Sequence, residues 1–137
     1  MSFLIVPVLC VLCASVVRSR PAGPLSPQEE QATIRTLPGF KIELVASEPD
    51  VVDPVAMAFD EQGRIFVAEM RGYPHGGVAT GQENRGRIKM LEDKDGDGYY
   101  ETCTTYAEGL RFPTSMMPYE GGLIVANAPD LIYISGP

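Results

Sequence analysis

From residue 39 onward the apolar positions recur in twos. Residues 40–46 (FKIELVA) alternate apolar with polar, which predicts a half-buried strand. Residues 54–70 (PVAMAFDEQGRIFVAEM) hold two β-rich runs around Asp60, Glu61, Gln62 and Gly63, a hairpin whose glycine can take a left-handed position. Alternation resumes at 87–92 (RIKMLE), and 99–107 (YYETCTTYA) is dense in aromatic and β-branched residues. Further strands are predicted over 114–118, 123–127 and 131–135, the first two joined by a YEGG turn. No stretch after residue 38 sustains a helical period.

This pattern repeats. A shift of 59 residues carries Pro54 onto Pro113, Met57 onto Met116, Glu61 onto Glu120, Gly63 onto Gly122 and Ile65 onto Ile124, without a gap. The shared unit, P-x-x-M-x-x-x-E-x-G-x-I, reads as strand, tight turn, strand. A third strand follows each copy, RIKMLE in the first and LIYIS in the second. A repeated three- or four-stranded antiparallel unit of this size suggests a β-propeller blade. The fold class is therefore all-β, with about two antiparallel blades. A ring closes with about four to eight blades. The expectation is a truncated fragment of a larger propeller, and the alternative is an open two-sheet β domain with exposed edges.

The N-terminal part counts differently. Residues 3–17 (FLIVPVLCVLCASVV) are almost wholly apolar, too short for a span of about 20 residues but suited to the core of a secretory signal. Cleavage after Ser15 or Ser19 is plausible, giving an address over 1–19. No Lys or Arg precedes the run while Arg18 and Arg20 follow it, a charge order that keeps an uncleaved anchor and a misread start site as alternatives. The expected destination is the periplasm or the extracellular space, with membrane association open. Residues 20–38 carry Pro21, Pro24, Pro27 and Pro38 and read as a linker. One helical turn over Pro27–Thr33 is expected within it, capped by Ser26, with Glu29 and Glu30 near its positive end. The patterned β domain then runs over 39–137.

Composition sharpens two points. With 14 Gly, 12 Pro and no Trp, the chain has turns in abundance and little room for long helices. The formal charge of −7 argues against a nucleic-acid partner, which needs a basic face.

Part of that charge sits in one loop. Asp93, Asp95, Asp97 and Glu101 occupy positions 1, 3, 5 and 9 of a calcium-type loop, Gly98 occupies position 6, and the Tyr99 carbonyl would add a ligand. Alternate side chains in such a turn point to one centre, and a hard divalent cation offsets the repulsion between them. Position 12 is Thr104 where an EF-hand has a bidentate Glu, and the flanks are strand-like. A Ca²⁺ clip on a β-hairpin is the metal reading; a solvated acidic turn is the alternative.

A second candidate region follows the strand ending at Glu69. Glu69, Arg71 and His75 are its candidate loop contacts, with an ion pair or loop anchor as the plainer role for the first two. His75 is the only histidine, which excludes a multi-histidine metal site. Cys10 and Cys13 lie in the apolar run and are followed by Ala14, so no haem attachment motif is present. Cys103 reads as a small core residue, with no Lys or His close in sequence to activate it. No phosphate loop, dinucleotide fingerprint, nucleophile elbow or nucleophile–base pair can be assembled, so catalytic and cofactor-binding residues are unassigned.

The runs GFKIELVASEPDVVDPVAMAFDEQGRIFVAEMRGYP and GRIKMLEDKDGDGYYETCTTYAEGLRFPTSMMPYEGGLIVANAPDLIYI resemble the start of a bacterial family of exported propellers, the membrane-bound dehydrogenase or PVC-type haem-binding proteins. Its propeller is similar to that of the glucose/sorbosone dehydrogenases, which use pyrroloquinoline quinone. The resemblance covers roughly 38–137. It implies a six-bladed-type ring, export, and oxidation of a sugar or alcohol, the missing blades being the partners of these two. Glu69 and Arg71 match the family's VAEMR motif, and Asp93, Asp95 and Asp97 match its acidic loop, with no catalytic role attached to either. The family's C-terminal C-x-x-C-H haem module has no counterpart here, and the sugar dehydrogenases' catalytic histidine is not transferred to His75.

Three readings follow: a dehydrogenase-type propeller fragment inactive alone, a non-enzymatic extracytoplasmic binding propeller, and a small Ca²⁺-stabilised β domain.

Overall fold

The computed structural model describes residues 23–73 and 84–136. The expected export signal, Cys10, Cys13 and His75 lie outside the described residues. One short helix, α1 (Pro27–Thr33), precedes seven strands: β1 (Pro54–Phe59), β2 (Ile65–Glu69), β3 (Gly86–Glu92), β4 (Thr102–Leu110), β5 (Pro113–Tyr119), β6 (Gly122–Asn127) and β7 (Asp130–Ile134). They form two antiparallel sheets, ordered β1-β2-β3-β4 and β5-β6-β7. The all-β fold of two blade-like sheets expected from the period-two pattern is thus present. No described helix is long and apolar enough to cross a membrane.

Helix α1 forms for local reasons. Ser26 accepts from the Glu29 N–H at 3.3 Å, and the Glu29 carboxylate accepts from the Ser26 N–H at 2.8 Å. This capping box satisfies two otherwise orphaned donors, and Pro27 opens the helix where no N–H is needed. Those Ser26 contacts hold the Glu29 carboxyl below its ordinary range.

Residues 40–46 are not a strand. Phe40 is 73% exposed, and the segment's tie to the sheet is the Tyr100 N–H donating to the Val45 carbonyl at 3.0 Å. Alternation alone does not make a strand: a strand also needs a ladder partner, and the segment has none among the described residues. It still covers apolar surface: Ala46 and Val51 pack with Tyr100 and Cys103 against Ile65, Val67 and Leu91. The strand expected from residue 99 begins at Thr102, leaving Tyr99 and Tyr100 in the preceding loop.

The repeat is real, and its register slips by one residue at the turn. Both hairpins open on a proline and carry an irregularity at the same place, Pro54/Ala56 and Pro113/Ser115. Their connections differ. Asp60 and Arg64 close a three-residue turn ending at Gly63, whose φ is +79°, while Glu120 and Gly121 form a two-residue turn with φ of +45° and +75°. The positive-φ partner of Gly63 is therefore Gly121, not Gly122. Beyond the turn Ile65 matches Leu123, Val67 matches Val125, Ala68 matches Ala126 and Glu69 matches Asn127.

The sheets stack with unlike faces in contact. Phe66, Ala68 and Ile88 of the first sheet, with Tyr106 edge-on to Phe66 at 5.1 Å, meet Leu123, Val125, Met116 and Ile132 of the second. By the repeat, Leu123 and Val125 correspond to Ile65 and Val67 on the opposite face of the first sheet. The arrangement is head to tail.

Gly122 lies in the strand because nothing larger fits. A methyl group there would stand 2.3 Å from the Ile134 carbonyl oxygen and 2.7 Å from the Tyr133 hydroxyl. Gly122→Ala is expected to destabilise the fold by about 1–3 kcal/mol, read as a lower urea midpoint; an unchanged midpoint would show that β7 does not pack this closely.

Candidate functional site

Each sheet ends its second strand on a polar residue that accepts backbone hydrogen bonds from the segment entering that sheet. In the second sheet Asn127 Oδ1 accepts from the Arg111 and Phe112 N–H groups at 2.9 and 3.0 Å, and the Ala128 N–H donates to the Phe112 carbonyl. In the first, Glu69 Oε1 accepts from the Val52 N–H at 2.8 Å, and the Met70 N–H donates to the Asp53 carbonyl. These are repeat-equivalent latches that tie the segment entering each blade to its second strand. Sequence reasoning placed Glu69 as a candidate loop contact with an ion pair or loop anchor as its plainer role, and missed Asn127. The gap-free register hid the signal, because it set Glu69 against Ala128.

The two latches differ in charge. Glu69 is fully buried, and its Oε2 accepts no hydrogen bond among the described residues. Arg71 Nε stands 3.7 Å from that oxygen, an ion pair without a hydrogen bond. Arg71 thus serves as the charge partner of the latch, in keeping with the anchor role. Around the Cys103 thiol the fold brings Lys89, Asp50 and Glu69 close enough to act on it. Burial pushes the Cys103 thiol up, and Lys89, brought beside it from the neighbouring strand, acts in the opposite direction without overcoming that. The thiol donates to the Asp50 carbonyl at 3.3 Å, the behaviour of a packed core cysteine.

The acidic loop joins β3 to β4. Asp93 is its organiser: Oδ1 accepts from Gly96 N–H at 2.7 Å and Oδ2 from Gly98 N–H at 2.9 Å. Asp95 accepts from Asp97 N–H, Asp97 from Tyr99 N–H, and Glu101 from Lys94 N–H at 3.1 Å. Oxygens of Asp93, Asp95 and Glu101 lie within 4.8 Å of one another, and Asp97 stands outside that group. Gly96 and Gly98 hold φ of +78° and +94°, which lets the loop fold back on its own carboxylates. The Gly98 N–H is the main reason the Asp93 carboxyl lies below its ordinary range. Chemically the loop can present carboxylate oxygens to a hard cation.

The chain belongs to the family described as domain of unknown function DUF7133, whose model matches residues 26–136. No match is found among the curated proteins or the solved structures. The DUF7133 span begins at the cap of α1 and takes in both sheets, both latches and the acidic loop. The helix within the expected linker therefore belongs to the family domain.

Two outcomes test the site. Glu69→Ala removes the acceptor of the Val52 N–H and is expected to cost about 1–3 kcal/mol; Glu69→Gln, which keeps an acceptor, should cost less in the same chemical melt. For Asp93, a depressed folded pKa means its stabilisation is fully present above the unfolded pKa and is lost as pH falls through the folded one. Amide exchange at Gly96 and Gly98 should accelerate across that acid window in excess of the intrinsic change, and Asp93→Asn should flatten the excess.

Proposed function

We propose that the chain is a scaffold unit of an exported β-propeller, contributing two blades stacked head to tail, with the β3–β4 loop acting as a Ca²⁺ clip. The observation that carries the reading is the duplicated blade: the same opening proline, the same bulge and the same latch in both sheets, packed through unlike faces. A propeller is built by repeating that step until the ring closes. Apolar outer faces support it, since Val55, Met57 and Phe59 on one side and Met117, Tyr119, Leu131 and Tyr133 on the other are exposed. Further blades of a longer chain would cover them. On this reading the two blades are inactive alone, and substrate contacts belong to the assembled ring. The resemblance to glucose/sorbosone dehydrogenases makes quinone-dependent oxidation of a sugar or alcohol the activity to assay in such a ring. The reading frame tests the proposal: further copies of the P-x-x-M hairpin unit downstream support it, and an adjoining stretch without any overturns it.

The clip is supported by the three converging carboxylates of Asp93, Asp95 and Glu101. Their mutual repulsion is what a divalent cation with oxygen preference offsets, and bridging the loop would hold β4 on β3. Thermal melts should rise with Ca²⁺, by about 2.7 kcal/mol at a hundredfold excess over Kd. Asp95→Asn should weaken the rise while keeping an acceptor for the Asp97 N–H. Superimposable melts in Ca²⁺ and in chelator would remove the clip from the reading.

A further inference from the structure

The segments that lead into the two sheets make the same contacts. Strand β4 leads into β5: Ala107 and Leu110 pack in the cluster that holds Leu123 and Val125, and Arg111 and Phe112 then give their N–H groups to Asn127. The segment leading into β1 repeats each step on the first sheet. Ala46 and Val51 pack against Ile65 and Val67, the counterparts of Leu123 and Val125, and Val52 gives its N–H to Glu69, the counterpart of Asn127. Residues 40–46 therefore stand where β4 stands, although the connection from Ala46 to Val51 is two residues longer than that from Ala107 to Leu110. As the fourth strand of its sheet, β4 pairs with the third, β3. No such third strand lies beside 40–46 among the described residues, yet the backbone is held ready for one. Thr36 Oγ1 and Gln31 Nε2 donate to the Phe40 and Ile42 carbonyls at 3.0 and 2.8 Å. The N–H and C=O groups of Lys41 and Glu43 have no hydrogen-bond partner among the described residues. In an extended segment these alternate residues share one edge.

We infer that residues 40–46 form the fourth strand of another blade, whose third strand pairs with them along the Lys41/Glu43 edge. That blade belongs to the same propeller, because the segment already makes with the first sheet the contact that β4 makes with the second. In a closed ring the blade next to the first sheet on this face is the last one, so the pairing clasps the ring. The inference rests on the propeller reading above and adds the place of closure.

The test uses the full chain with a synthetic peptide of residues 86–92 (GRIKMLE), the strand that pairs with β4, as a stand-in for the missing third strand. Residue-resolved amide exchange is the readout. Millimolar peptide should slow exchange at Lys41 and Glu43 by about tenfold, the protection given by one ordinary ladder hydrogen bond. Glu43→Pro, which removes an N–H from the edge, should abolish the effect, and Glu43→Gln should keep it, both with unchanged circular dichroism. Unprotected amides at 41 and 43, protection confined to another edge such as β7, or protection that survives Glu43→Pro overturns the inference. Protection that rises with protein concentration in the absence of peptide would give the place to a second copy, and overturns it too. A downstream frame rich in further hairpin units, together with unprotected amides at 41 and 43, would sink the clasp and leave the ring; a frame without them removes the ring whatever the peptide does.

Discussion

Both faces of each sheet are apolar, so each sheet must be covered twice. That constraint organises the molecule. Ile88, Leu123 and Val125 become fully buried only because the two sheets meet, and burial of such a side chain is worth about 1.5–3 kcal/mol relative to exposure. The contact joins unlike faces, so it cannot satisfy all four. Segment 45–51 partly covers the first sheet's second face with Ala46 and Val51, although it forms no ladder. Among the described residues, the second sheet has no such cover, and its outer side chains stay exposed.

Stacking sheets in this way requires the chain to enter each blade at a fixed place, and the latches set it. A side chain at the end of the second strand takes backbone N–H groups from the segment leading into the first, which would otherwise be unsatisfied near the core. Asn127 does this without charge and uses one oxygen for two donors. Glu69 does it with a carboxylate, and the surplus oxygen brings the cost of a buried charge that Arg71 offsets at 3.7 Å. The same position in two copies of one unit has thus reached a neutral solution and an ionic one.

Period-two alternation was enough to locate the strands to within a few residues, because each strand's burial is set by its own side chains. The capping box of α1 was legible for the same reason: Ser26, Pro27 and Glu29 act on neighbours in sequence. Pairing is not local. The alternation over 40–46 was genuine, yet no strand formed, since ladder partners depend on the rest of the fold. The repeat's one-residue slip was hidden by coincidence, because Gly121 and Gly122 stand side by side for different physical reasons. One takes positive φ in a turn, and the other makes room for a carbonyl. Lys89 beside Cys103 was illegible too, as it is brought there by strand pairing across the sheet.

In the acidic loop, concentrated charge produces local order. Four carboxylates in nine residues repel one another, and backbone N–H groups answer part of that repulsion before any ion is considered. The depressed Asp93 pKa says that the Gly96 and Gly98 N–H groups favour the ionised form of this one carboxylate, since protonation would weaken the acceptor that they need. A carboxylate oxygen has about two lone-pair sites, so the N–H contacts orient Asp93, Asp95 and Glu101 without using all of their capacity. The proposed Ca²⁺ would therefore enter a loop whose shape is already set and add cross-strand attraction to it. The proposed role is accordingly a clip between β3 and β4 rather than a switch: a switch requires a second arrangement of comparable energy, and these hydrogen bonds favour one.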